Sequence, residues 1–422
     1  MDDQRGPNPT AAMLSLHQVR KILDSQISPV DGYEQVTLKN CSGRVLFEDM
    51  FAAFDIPREA QSSMDGYAFH SDELKSGRAS ELAIAGTSWA GRPFGGSVRK
   101  RECVRIFTGA DLPVGADSVA LQENVRRLGD RVQIPPTTEA KQNIRMPGSE
   151  IQRGQRILEK GKRLSPADIG MLASLGIHEL RVHRKPRVVF FSTGDELISL
   201  DKRLEAGKIY DSNRYLLDGM LRALGITALD FGAIQDNREA IRNALIEASA
   251  ISDVIITTGG VSVGEADLVR NALVSTGHIE FWKIAIKPGK PLAFGRIGDA
   301  CFFGLPGNPV SVFVTFYQIV RPALLRMMGT EPGNALRFKA ISISRIKKTP
   351  GRLEFQRGRL KINENGRTLV HAAEKQESHN LSALGDCNCF IVLPGECDGV
   401  EAGQPVEVEL IDPVFHFNDH RF

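Results

Sequence analysis

Three loops near the middle of the chain carry residue types that handle oxyanions and metal ions. The first, Ser192-Thr-Gly-Asp-Glu-Leu197, directly follows an apolar run. Gly194 permits a tight turn there, and Asp195 and Glu196 offer carboxylates beside the end of that run, unless one of them simply caps the next segment. The second is Thr257-Thr-Gly-Gly-Val-Ser-Val-Gly-Glu-Ala-Asp267. Gly259, Gly260 and Gly264 allow close backbone approach, so their N–H groups can cradle a phosphate or oxyanion, and Ser262 adds a hydroxyl. Asp267 suits a divalent cation through its carboxylate oxygens. Its plainer use is to favour the positive end of a helix. The third is Ile286-Lys-Pro-Gly-Lys-Pro291, followed by Gly304-Leu-Pro-Gly-Asn-Pro309. Lys287 and Lys290 flank a turn stiffened by Pro288 and Gly289, and two ammonium groups held near one point suit an oxyanion. A surface lysine pair is more often only solvated. Pro291, Pro306 and Pro309 fit the wall of a shaped pocket, although 304–309 also reads as an ordinary lead-in to a helix. Asp236 stands between a strand and a helix, where an N-cap is its default role. With Glu196 and Asp267 it makes an acidic set of the kind that holds Mg²⁺ while a phosphoanhydride is cleaved.

The elements around these loops decide whether they can meet. From Arg187 to about Gly329 apolar strands alternate with amphipathic helices: strands at 188–192, 226–231, 253–257, 279–284, 292–294 and 301–303, helices at 213–224, 238–250, 266–275 and from 309 onward. That alternation predicts βαβ units and a parallel sheet with helices on both faces. Ligands of such sheets bind beyond the carboxyl ends of the strands, where all three loops fall. Ahead of it, Ser15 caps a helix with Leu16, Val19, Ile22 and Leu23 at helical spacing, a short strand occupies 35–38, and a second short helix ends near Met50. Residues 51–144 change texture, with Gly and Pro punctuating short apolar runs, which predicts a β-rich domain. Ser165-Pro166 then opens a helix that Gly176 stops. Helical material on both sides of the β-rich stretch suggests an inserted domain. From Glu331 on, short strands and Gly turns predict a small barrel or sandwich. The expected organisation is 1–50 with 145–185 as a discontinuous mixed helical domain, 51–144 inserted, 186–330 α/β, and 331–422 a C-terminal β-barrel.

Composition sets outer bounds. With 422 residues and 42% hydrophobic content, the chain is too long for one core. Lys and Arg number 53 against 51 Asp and Glu, a net charge of +2, which argues against nucleic-acid binding through bulk charge. Six scattered cysteines, among them Cys387, Cys389 and Cys397, suit reduced thiols rather than a disulfide scaffold or a zinc site. The polar N-terminus lacks a signal-peptide core, and no run approaches the roughly 20 apolar residues of a membrane span. A cytoplasmic protein is expected.

Taken together, Met64-Asp-Gly-Tyr-Ala68, Thr108-Gly-Ala110 and the three loops above resemble the molybdopterin molybdenumtransferase family, called MoeA in bacteria and found as the C-terminal domain of gephyrin in animals. The likeness runs from about residue 13 to 411. It implies an α/β domain of molybdopterin-binding type and a transferase that takes adenylylated molybdopterin and molybdate, cleaves the adenylate with Mg²⁺, places molybdenum on the dithiolene and releases AMP. It implies a homodimer whose active site is shared, with Asp65, Thr108 and Glu123 reaching Glu196, Asp236 and Asp267 of the other subunit. Glu196 and Asp267 would be the metal ligands, with Asp236 helping to position nucleotide or metal. Gly259, Gly260 and Ser262 would hold phosphate or oxyanion. Lys287, Lys290, Arg352, Ser378 and Ser382 would gather molybdate, whose double charge calls for cations and hydroxyl or N–H donors. An adenylyltransferase for molybdopterin and apo-molybdoenzymes are the implied transient partners. Glu150, in Gly148-Ser-Glu150, stands where many members carry Asp, so a catalytic role there is expected with a longer acid. Two alternatives remain: a molybdopterin adenylyltransferase, which shares the α/β domain type but is usually small, and a nonenzymatic scaffold of the gephyrin kind.

Overall fold

A computed structural model describes residues 13–260, 269, 273, 277–331, 333 and 335–411, without the side chains of Phe281 and Trp282. The chain forms two compact units, one from the chain up to Glu34 together with everything from His183 on, the other from Gln35–Val182.

In the first unit the strands Val188–Thr193, Leu229–Ile234, Val254–Thr258 and Ala300–Leu305 run parallel. Val188–Thr193 is buried at every position because helices cover both faces. Val189, Phe191, Ile255 and Phe302 pack with Ile241, Leu245 and Ala248 of helix Arg238–Ile251. Val188 and Phe190 alternate to the opposite face, and helix Ser212–Ala223 also packs on this strand. The expected parallel sheet is present but continues as antiparallel strands, Pro291–Ile297 and His278–Lys283, on its far edge. Sequence periodicity is blind to strand direction, because side chains alternate between the two faces in the same way whichever way the strand runs. Asn237, not Asp236, caps helix Arg238–Ile251, its Oδ1 accepting from the N–H groups of Glu239 and Ala240. That frees Asp236 from the default role. The expected helix 266–275 lies largely outside the described residues. From Pro309 a helical run continues through a π-turn at Phe316–Val320 to Met327.

The C-terminal strands close on themselves. Leu353–Ile362 pairs with Thr368–Ala372 and with Cys389–Leu393, and Pro405–Leu410 joins the latter to Arg337–Ser342, which returns to Thr368–Ala372. These five strands form the expected barrel, and closure leaves no free edge within it. The short strand Ile286–Lys287 pairs with Leu353 and Glu354, so the lysine loop of the α/β body is hydrogen-bonded to the barrel. Cys387 and Cys389 are buried, and burial pushes the Cys387 thiol up to about 11, in keeping with small packing residues.

The second unit holds a six-stranded sheet built from Gly66–Phe69, Ser80–Ser88, Glu102–Ile106, Ser118–Leu121, Arg126–Leu128 and Arg131–Ile134, as the punctuated runs predicted. The flanking chain packs together: Tyr33–Thr37 lies beside Glu179–His183, and Met50–Phe51 pairs with Arg156–Leu158. Helix Pro166–Ser174 starts at Ser165 in a capping box closed by Asp168. The helix expected to end near Met50 is absent. Only a single 3-10 turn, Leu38–Asn40, forms there, and Val45, Leu46 and Met50 make bridges and strand pairs instead. The β-branched and large apolar residues of 45–51 gain more from a shared core with Leu158, Leu164 and Val182 than a short uncapped helix could supply.

One ion pair ties the start of the α/β body to its third parallel strand. The Arg184 guanidinium donates to both oxygens of Asp253 at 2.7 and 2.9 Å, and the Arg187 N–H donates at 2.7 Å. Burial alone would raise the Asp253 carboxyl, but these donors outweigh it and hold the group far below the ordinary carboxylate range. A carboxyl depressed in the folded state stabilises above its unfolded value, near 4, and loses that contribution as pH falls. Asp253→Asn is therefore expected to lower unfolding free energy at pH 7 by about 3 kcal/mol, with the gap to the parent protein closing towards pH 3 in urea titrations.

Candidate active site

The carboxyl ends of the parallel strands open into a cavity of about 630 Å³. Its wall includes Thr193, Gly194 and Glu196 after one strand, Asp236 after the next, Thr258, Gly259 and Gly260 after the third, and Pro306 to Pro309 after the fourth. The topology makes this crevice. The chain passes from Val188–Thr193 to a neighbour on one side and then to Val254–Thr258 on the other, so the strand order reverses here. A small parallel pairing of Leu197–Ile198 with Ile209–Tyr210 brings Asp211, Ser212 and Asn213 to the same wall.

Three carboxylates crowd the mouth. The Asp236 N–H donates to Asp195 Oδ1 at 3.1 Å. Partial burial and the negative charges of Asp195 and Glu196 push the Asp236 carboxyl above its usual range. A cation would relieve that crowding. Among the described residues no three His, Cys, Asp or Glu side chains form a complete metal cluster. Mg²⁺ needs fewer, since it is commonly held by one or two carboxylates plus substrate phosphates and water. Asp267 and Ser262, the other residues expected here, lie outside the described residues.

Gly259 and Gly260 have φ values of +86° and +63°. A side chain at Gly259 would place its Cβ 2.4 Å from the Thr193 carbonyl oxygen. The Gly259 N–H donates to the Leu305 carbonyl at 3.2 Å, so it is not available to cradle a phosphate. This glycine is required by the close approach of two strand ends, a demand that its place in a Gly-rich loop does not separate from anion binding.

A second cavity, about 900 Å³, lies between the lysine loop and the barrel. Lys287, Lys290, Arg352 and Ser378 all line it, as expected, and Ser311, Arg345, Lys347 and Arg357 join them. The latter four carry no local sequence signal and arrive through the fold alone. Lys287 Nζ pairs with the buried Glu354 carboxylate at 3.2 Å, and Arg352 Nη1 donates to the Ile286 carbonyl at 3.0 Å. The Ser378 hydroxyl accepts from Asn308 Nδ2 at 3.0 Å. Ser382 begins a one-turn helix and lines neither cavity. Pro291 and Asn308 line both cavities, so the two share a wall.

The remaining expected residues lie in the second unit. The Thr108 N–H and hydroxyl both donate to Asp65 Oδ1 at 2.8 Å, and these two bonds hold the Asp65 carboxyl below its usual range. Glu123 accepts from Gln122, whose N–H binds the Asp65 carbonyl. Glu150 sits apart from them in a pair with Arg145 at 2.7 Å.

Gly259→Ala should lower stability by about 2 kcal/mol or more, since it adds both a strained φ and a contact with backbone. Thermal melting followed by circular dichroism checks this, with unchanged secondary structure at low temperature as the control.

Comparison with known proteins agrees with this architecture. Family models match in order along the chain: the MoeA N-terminal region, domains I and II, at 14–176, a probable molybdopterin binding domain at 189–326, and the MoeA C-terminal region, domain IV, at 339–411. A molybdopterin molybdenumtransferase of Haemophilus influenzae is 41% identical over 94% of this chain and 98% of its own length. One of a Nostoc species is 31% identical over 95% of this chain and 94% of its own. The crystal structure of a molybdopterin biosynthesis MoeA protein from Pyrococcus horikoshii superposes with a TM-score of 0.82 at 30% identity, covering 94% of this chain and all of that one. No helix among the described residues is long and apolar enough to cross a membrane. The chain belongs to the molybdopterin molybdenumtransferase family.

Proposed function

We propose that this chain inserts molybdenum from molybdate into adenylylated molybdopterin, with Mg²⁺-dependent release of AMP, as the last step of molybdenum-cofactor synthesis in the cytoplasm. The observation that carries this reading is the shared wall of the two cavities. One is lined by Lys287, Lys290 and Arg352, the other by Glu196, Asp236 and the Thr258–Gly260 turn, and Pro291 and Asn308 stand between them. A doubly negative tetrahedral oxyanion suits the first, and a large heterocyclic phosphate ester suits the second.

Lys290, Lys287 and Arg352 would hold molybdate by charge-assisted bonds, with Ser378 and Ser311 supplying hydroxyl donors. Ser382 would join only if its turn moves. Glu196 and Asp267 would bind Mg²⁺, with Asp236 helping to position nucleotide or metal. Bound there, the ion would neutralise charge on the phosphoanhydride. Gly260 and Ser262 would lie against the phosphates, and Gly259 would keep the turn close. Pro306 and Pro309 would shape the floor. The chain would work as a homodimer, with Asp65, Thr108 and Glu123 of one subunit completing the site of the other, and Glu150 contributing through its pair with Arg145. We read 51–144 as an inserted domain within 1–50 and 145–185, followed by domains at 186–330 and 331–422.

The decisive experiment supplies adenylylated molybdopterin, Mg²⁺ and molybdate, and follows AMP release and reactivation of an apo-molybdoenzyme. Both should appear and both should need molybdate. Synthesis of adenylylated molybdopterin from ATP instead would make the chain an adenylyltransferase. In this assay Lys290→Ala should raise the apparent KM for molybdate about tenfold without lowering the melting temperature. Lys287→Ala should do both, because it strips the buried Glu354 of its partner.

Shared sites make a second, separate expectation. Asp65→Asn and Glu196→Gln should each be inactive alone. Mixed and allowed to exchange subunits, they should recover about a quarter of parental activity, since half the dimers would carry one intact site. Failure of well-folded, exchanging variants to recover any would place all catalytic groups within one subunit.

A further inference from the structure

Among the described residues, three buried oxygens on the wall of the strand-end cavity lack a hydrogen bond of ordinary geometry: Asp211 Oδ2, Asn213 Oδ1 and Thr193 Oγ1, with the Ser192 hydroxyl the one neutral donor near the Asp211 carboxylate. Their residues are only 2%, 9% and 4% exposed. Buried polar atoms in folded proteins are nearly always satisfied, so three on one cavity wall mark a place where something else supplies the donors. Local roles account for the other atoms of these side chains. Asp211 Oδ1 accepts from the Arg214 N–H at 3.3 Å as a helix cap, and Asn213 Nδ2 donates to the Gly307 carbonyl at 2.7 Å. Among the described residues the nearest cation to Asp211 Oδ2 is Arg214, at 3.8 Å, but that guanidinium is directed at Asp230, with bonds of 2.8 to 3.1 Å. Burial raises the Asp211 carboxyl above its usual range, consistent with an oxygen removed from water before its partner arrives.

The missing partner must present N–H groups side by side and be flat enough for a strand-end crevice. The 2-amino-4-oxopyrimidine edge of a pterin does so, with its ring N–H and exocyclic amino group pointing the same way. Adenine offers a single amino group flanked by acceptors, which would face these oxygens unfavourably. Glu196 and Asp236, at the exposed mouth, are left for metal and phosphate.

We infer that Asp211, with Asn213 and Thr193, forms the subsite that recognises the pterin edge of the substrate. The inference rests on the molybdopterin-handling reading above, and its test is independent of turnover. The full-length protein is titrated with 6-hydroxymethylpterin, followed by pterin fluorescence, and with 6-hydroxymethyllumazine, in which a carbonyl replaces the amino group. Pterin should bind at least about tenfold more tightly, because the lumazine turns an acceptor towards Asp211 and leaves it unpaired. Asp211→Asn keeps a residue suited to capping the helix and should bring the two ligands to within about threefold of each other. Thr193→Val should reduce the preference in the same direction and serves as the second variant if Asp211→Asn does not fold. AMP should not displace the pterin. Equal binding of pterin and lumazine overturns the subsite, as does displacement by AMP, or no pterin binding up to its solubility limit by protein that still releases AMP with molybdate. Pterin preference without molybdate-dependent AMP release would instead uphold the subsite and reject the proposed reaction.

Discussion

Several cations around one cavity repel one another, and loops bearing them would splay apart unless the backbone held them. Here the holding element is a two-residue strand. Ile286 and Lys287 pair in parallel with Leu353 and Glu354, and Arg352 closes the joint from the other side by donating to the Ile286 carbonyl. The α/β body and the barrel are thereby joined at the point where their positive charges converge. Glu354, 5% exposed, sits beneath Lys287 and offsets part of the repulsion from a position where solvent screens it little. Arg357 is also fully buried in this wall, and burial depresses its guanidinium pKa. Its Nη2 donates to the Lys375 and Glu377 carbonyls, and Gln376 bonds back to the Arg357 backbone, so the loop that carries Ser378 is held against the barrel.

This joint also sets the relation between the two cavities. Ser378 accepts from Asn308, and the Val310 N–H donates to the Ser378 carbonyl, which locks the barrel loop onto the loop following the last parallel strand. The same loop continues to His379 and Leu381, which line the carboxylate-bearing cavity. One short segment therefore faces a cationic compartment with one residue and an acidic one with the next. Opposite charges kept in adjacent compartments do not neutralise each other by collapsing into ion pairs, so each stays available to a ligand. Lys287, paired with Glu354, and Arg345, paired with Glu401, are already partnered, and the Lys287 pairing fixes the geometry in which Lys290 and Arg352 operate.

Much of this was legible in the sequence because local chemistry and tertiary role coincide. Apolar runs at 188–193 and 254–258 had to be buried strands, and carboxylates and glycines after them had to stand at the strand ends. Lys287, Lys290, Arg352 and Ser378, far apart in the chain, line one cavity. The failures have physical reasons. Strand direction at 278–297 leaves no trace in the residue pattern: 292–295 is buried throughout and 278–280 alternates as any edge strand can. The segment before Met50 has enough helical spacing to suggest a helix, yet its apolar residues are taken up by a core contributed from 156–182. Asp211 and Asn213 look like ordinary helix-start residues, and Asp211 does cap its helix. Nothing in the spacing says that the carboxylate also lines the strand-end cavity.

Gly259 shows how a motif can be right about a place and wrong about its reason. A glycine after a strand suggests a bare N–H for an anion, but this N–H is bonded to Leu305 and the missing side chain makes room for the Thr193 carbonyl. The contact draws the ends of two parallel strands together at the base of the crevice. Thr193 is held there with its hydroxyl unpartnered among the described residues, on the same wall as Asp211 and Asn213. The glycine thus acts on the ligand indirectly, by fixing the distance between strand ends. Recognition then falls to side-chain oxygens contributed by an element far along the chain, the short parallel pairing at 209–210 that precedes helix Ser212–Ala223.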